Sequence, residues 1–124
     1  MELLLYSAAL LTALIGVAHS YLGERLILQW LFRTENLPRL LGGTTFTQNT
    51  LRFAWHLTTV AWWGFAALLV LLAHPPITSS AVGQVIAIVF AIHFLIALIT
   101  SRGRHFSWIF FLLISVLAWT ASCY

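Results

Sequence analysis

The strongest restriction on this chain is a fourfold alternation of apolar and polar segments. Leu3 to Leu22, Phe53 to Ala73, Ala81 to Thr100 and Phe106 to about Ser122 are apolar, and a polar segment separates each from the next. Crossing the hydrocarbon of a bilayer takes about 20 mostly apolar residues as helix, so each stretch is near the length of a span. They are apolar nearly all round rather than in strict alternation, which favours helices over the strands of a barrel. The 124 residues are 61% hydrophobic and 7% charged, more apolar surface than one soluble core of this size encloses. The sequence predicts an all-α integral membrane four-helix bundle, a single domain over residues 1–124 with helices at about 3–22, 53–73, 81–100 and 106–122.

Charge then orients the chain. Arg25, Arg33, Arg39 and Arg52 lie in or beside the connection between the first two segments, and Arg102 and Arg104 lie between the last two. The N-terminal Met1-Glu2 and the turn from Ala73 to Ser80 carry no Lys or Arg. By the positive-inside rule both termini are outside and the arginine loops cytoplasmic, in up-down-up-down order, as in a bacterial inner membrane. The net charge of +3 is thus an asymmetry along the membrane normal. Its expected partners are the bilayer and anionic lipid headgroups, not nucleic acid. The first segment lacks a basic n-region and is expected to stay in the mature protein. Cys123 has no second thiol to pair with.

The inner loop 24–52 is the one long connection. Its first part, through Trp30 to Arg33, is expected to continue the first helix in a bent or interfacial form. Pro38 and Gly42-Gly43 break any further helix, and Thr44 to Thr50 supply turn and N-cap residues. Ala9, Ala13, Gly16 and Ser20 repeat at spacings of three or four, a narrow face on which another helix can pack.

Four histidines, one for each segment, fall on the arginine side. From a rise of about 1.5 Å per residue, His19 and His56 lie roughly 5 Å inside the boundary and His93 roughly 10 Å, with His105 at the boundary itself. His74, on the outer turn, is excluded. Imidazole is costly in a bilayer, so several at similar depth point to a site. Neutral imidazoles from several helices are a ligand set for zinc, iron or copper, and two of them can supply both axial positions of a b-type haem. The expected metal ligands are His19, His56, His93 and His105, with Glu24 as the one carboxylate within reach. Glu24 follows His19 by five residues, about 140° around an ideal helix, so it joins the set only if the helix unwinds near Gly23; pairing with Arg25 or Arg52 is the simpler alternative. Arg25, Arg52, Arg102 and Arg104 are candidates for an anionic group or headgroup. Ser20 and Thr59 are candidates for supporting hydrogen bonds, and Gln84 for an interhelical one.

These residues suggest a small membrane metalloprotein with redox or hydrolytic chemistry on a lipid-like substrate at the cytoplasmic leaflet; no catalytic residue is singled out. An accessory subunit of a larger membrane complex and a small proton-coupled transporter are the alternative functions, and a homo-oligomer or a larger membrane complex is the assembly considered. The nearly apolar outer half argues against a continuous transport path.

Overall fold

A computed structural model describes all residues from Met1 to Tyr124 and contains four helices and no strand of a sheet. Helix α1 runs over Glu2–Leu31, α2 over Thr45–Leu72, α3 over Ser79–Ser101 and α4 over Ser107–Ser122. The first three are long and apolar enough to cross a membrane. At 16 residues, α4 is shorter than the usual span of about 20.

Around the inner loop, one boundary follows the sequence expectation and one differs. Helix α1 continues past Leu22, as expected for this stretch, through a π-helical segment, Gly23–Leu28, to its last turn at Gln29–Leu31. Helix α2 begins at Thr45, well before Phe53. The polar run that reads as turn and cap is its first two turns, because tertiary contacts override weak helix propensity there. Thr47 is buried and donates to the Pro38 carbonyl (2.7 Å), while the Phe46 ring lies 6.1 Å from that of His105.

The end of α3 is built by a different device. Arg102 adopts a left-handed conformation (φ 51°) and Gly103 follows with φ 74°. Their amides bond back to Ile99 and Leu98 (3.2 and 3.0 Å), a Schellman-type stop that satisfies the last carbonyls of the helix. This turn sets Arg102, Arg104 and His105 beside the first turns of α2.

The helices pack in chain order, α1 on α2, α2 on α3 and α3 on α4, and no other pair of them approaches closely. The result is a row rather than a closed bundle, and only 17 residues are buried. Small residues make the close approaches: a Cβ at Gly64 would sit 2.6 Å from Val89, and one at Gly83 would overlap the Ser122 hydroxyl. Between α3 and α4, Ser80 donates to the Ser122 carbonyl (2.6 Å) and Ser115 to that of Ala87 (2.8 Å). Gln84 is exposed on α3.

Candidate acid–base site between the first two helices

The α1–α2 contact is a ladder of hydrogen bonds from side chains of α2 to main-chain carbonyls of α1. Trp63 Nε1 donates to Ala13, Thr59 Oγ1 to Gly16 and Trp55 Nε1 to His19, at 3.3, 3.2 and 3.0 Å. Donors four residues apart meet acceptors three apart, so one face of α2 is fixed against the Ala13, Gly16 and Ser20 face of α1. The role of the indoles as donors was not apparent from sequence. The signal was present in the spacing of Trp55, Thr59 and Trp63 opposite a small-residue face.

At the inner end of this ladder the polar side chains converge. Ser20 Oγ lies 2.8 Å from His56 Nδ1 and 2.7 Å from Thr59 Oγ1. Glu24 Oε2 lies 3.5 Å from His56 Nε2, an ion-pair separation rather than a direct hydrogen bond. Arg52 holds the same carboxylate through two nitrogens, Nε at 3.1 Å and Nη2 at 2.9 Å. The guanidinium is also 5.0 Å from the Phe32 ring centroid. Glu24 thus pairs with Arg52, the simpler of its two expected roles, and also faces an imidazole, that of His56.

The π-helical segment is where this arrangement is made. A π turn takes more residues than an α turn and so re-aims the side chains that follow it. Unwinding near Gly23 was the condition for bringing Glu24 round, and the π segment starts at that residue. Gly23 is also where Trp55 crosses α1, because a Cβ there would overlap indole Nε1 and Cε2.

Hydroxyl groups have one proton each, so this run admits two donor orders. In the first, Thr59 donates to the Gly16 carbonyl, Ser20 donates to Thr59, and His56 Nδ1–H donates to Ser20. With the imidazole neutral, that order would leave a bare Nε2 facing the Glu24 carboxylate; it therefore belongs to the protonated ring. In the second, Ser20 donates to Nδ1, Thr59 turns its proton to Ser20, and Nε2–H faces Glu24. That is the order of the neutral ring, and it runs serine, histidine, carboxylate. Thr59 is 3% exposed, so the run ends blind at Gly16 on one side and opens toward Arg52 on the other.

The other histidines lie apart from this run. His19 stacks on Trp55 (centroids 4.6 Å apart, planes at 2°) and touches Trp62, and its Nε2 is buried without a hydrogen-bond partner. His93 is buried against Phe90 and Phe111, with Nδ1 2.6 Å from the Val89 carbonyl. His105 bonds Ser107 (2.8 Å) and packs edge-on to Phe53. His74 bonds Tyr6 through Nε2 (2.9 Å). No three His, Cys, Asp or Glu side chains come together as a metal-holding group. The row of helices is the reason: α1 and α3 do not meet, so His19 and His93 have no common core to face. Of the candidate arginines, Arg52 is held by Glu24, Arg25 lies over the Tyr21 ring (5.9 Å), and Arg102 and Arg104 line a cavity with Asn49.

Comparison with family models, curated proteins and solved structures gave no match.

Proposed function

We propose that this chain is a small integral membrane enzyme whose Ser20–His56–Glu24 run performs acid–base and hydrolytic chemistry on a lipid-like ester at the cytoplasmic leaflet. The observation that carries the reading is the continuous contact from Arg52 through Glu24, His56 and Ser20 to Thr59. In its neutral-ring order this is the donor sequence of a nucleophilic triad, in which a base takes the hydroxyl proton and a carboxylate supports the resulting imidazolium. Ser20 Oγ attacks the ester carbon as its proton passes to Nδ1. The same proton then goes to the departing alkoxide, and water repeats the sequence to free Ser20. Arg52 holds Glu24 in place.

The orientation in this proposal follows the arginines: both termini outside, both arginine loops cytoplasmic, and the helices in up-down-up-down order. Pairing of Tyr6 near the start of α1 with His74 beyond the end of α2, and of Ser20 with His56 at the other ends, supports antiparallel neighbours.

A fluorophosphonate probe tests the chemistry, because it forms a covalent bond only with an activated hydroxyl. The expected result is labelling at Ser20 in detergent-solubilised protein, lost in Ser20→Ala and His56→Gln and reduced in Glu24→Gln. Absence of labelling from folded wild-type protein would refute the nucleophile.

A metal reading rests on the paired donors of His56 and Glu24 alone, since His19 lies apart against Trp55. Stoichiometric zinc, iron or copper in protein purified without chelators, and its loss in His56→Gln, is the outcome that would favour it.

A further inference from the structure

A second polar feature lies on the same arginine face, away from the acid–base run. Thr45, Phe46, Asn49, Ser101, Arg102 and Arg104 line a cavity of about 230 Å³ between the start of α2 and the turn that ends α3. The chain has three acidic residues in all, and the only ion pairs are those of Glu24 with Arg52 and His56. Arg102 and Arg104 therefore bring two charges to this cavity with no carboxylate to meet them. Asn49 adds an amide able to donate, and Thr45 a hydroxyl.

The cavity opens onto an apolar groove. Phe46 and Arg104 line both, and the groove continues along Leu40, Leu41, Phe106 and Phe110, with a volume of about 610 Å³. These four are at least half exposed, Phe106 and Leu41 most of all at 72% and 68%. A cationic pocket joined end to end with an apolar groove, at the boundary of a membrane-spanning chain, has the polarity of an amphiphile. The charge selects an anion, guanidinium geometry suits phosphate, and the groove suits an acyl chain.

We infer that this composite site binds one phosphate-headed lipid of the leaflet in which the arginine loops lie, its phosphate between Arg102 and Arg104 and one chain along Phe106 and Phe110. The Schellman-type turn serves the site directly. The left-handed conformation of Arg102 and the glycine after it place two arginines and His105 within one tight reversal, against the first turns of α2.

The test is native mass spectrometry of the full chain released from mixed micelles. The probes are dioleoyl phosphatidylglycerol, dioleoyl phosphatidylcholine and inorganic phosphate. The wild type is expected to retain one phosphatidylglycerol in preference to phosphatidylcholine. Arg102→Gln with Arg104→Gln should weaken retention roughly 30-fold. Arg25→Gln with Arg33→Gln removes the same charge from the other inner loop, at positions that line neither the cavity nor the groove, and should weaken it less than about threefold. Phe110→Ser, at an exposed position, should lower retention of the two-chain lipid. Equal losses in the two arginine pairs would reduce the site to general attraction and overturn the inference. So would equal retention of phosphatidylcholine, or displacement of the lipid by millimolar inorganic phosphate, which would make the occupant a soluble anion.

Discussion

Gly23→Ala is the substitution that most sharply examines how the first two helices are joined. A Cβ at this position would be 2.6 Å from Trp55 Cζ2 and closer still to Nε1 and Cε2. Ordinary carbon contacts are about 3.5–4.0 Å, so the indole must withdraw by roughly 1 Å or more. It then gives up its 3.0 Å bond to the His19 carbonyl and its stack on the His19 ring. The bond is worth about 1 kcal/mol and the stack about 1 kcal/mol. Residual overlap adds about 1–2 kcal/mol, and alanine recovers about 1 kcal/mol of helix propensity over glycine. The expected net loss is about 2–3 kcal/mol. Reversible unfolding in mixed micelles, followed by helical circular dichroism, measures it. In a Trp55→Ala background the obstacle is gone, so Gly23→Ala should there be neutral or stabilising by up to about 1 kcal/mol. If Gly23→Ala in the wild-type background lies within about 0.5 kcal/mol of the parent, the crossing of Trp55 over α1 is wrong.

Three further outcomes follow from the same contacts. The Arg52–Glu24 pair, with side chains 42% and 26% exposed, falls between surface and buried ion pairs, so a double-mutant cycle of Arg52→Gln and Glu24→Gln should give a coupling of about 1–2 kcal/mol in micellar unfolding. A value near zero would make the contact incidental. Thr59→Val keeps the shape of a buried residue but removes the donor to Gly16 and one partner of Ser20; it should cost about 1–2 kcal/mol by the same measurement, and Ser20→Ala on top of it should still cost about 1 kcal/mol for the bond to His56. In inside-out and right-side-out vesicles, Cys123 should react with a membrane-impermeant maleimide from the outer side only. A cysteine at Arg33 in a Cys123→Ser background should react from the inner side only, and the reverse pattern would invert the proposed orientation.

The all-helical class, with three helices long and apolar enough to cross a membrane, was legible because few other structures suit segments of that length and polarity. Length, all-round hydrophobicity and breaks at Pro and Gly are local properties, and they located the bodies of the helices. The ends were less legible. Thr44 to Thr50 read as turn and cap because their intrinsic preferences point that way, and only the contacts of Phe46 and Thr47 reveal why they are helical instead. The arrangement of the helices was not legible at all. Depth along the membrane normal can be counted from the sequence, whereas azimuth and neighbour identity depend on which small residues admit which large ones. That distinction separates His19, His93 and His105 from His56: similar depths expected from sequence, different surroundings in the structure.

Glu24 shows how a sequence can state a conditional that only packing resolves. Its five-residue separation from His19 excludes a shared face on a regular α-helix, and the glycine between them marks where regularity can be lost. In the structure Gly23 admits Trp55, the helix widens into its π segment, and Glu24 faces Arg52 and His56 on α2. His19 meanwhile gives its carbonyl to Trp55 and its ring face to the same indole. One indole thus occupies the place through which His19 would join its neighbours, and its own presence depends on the absence of a single methyl group at Gly23. The acid–base run and the isolation of His19 have a common origin, so a variant that expels Trp55 should disturb both together.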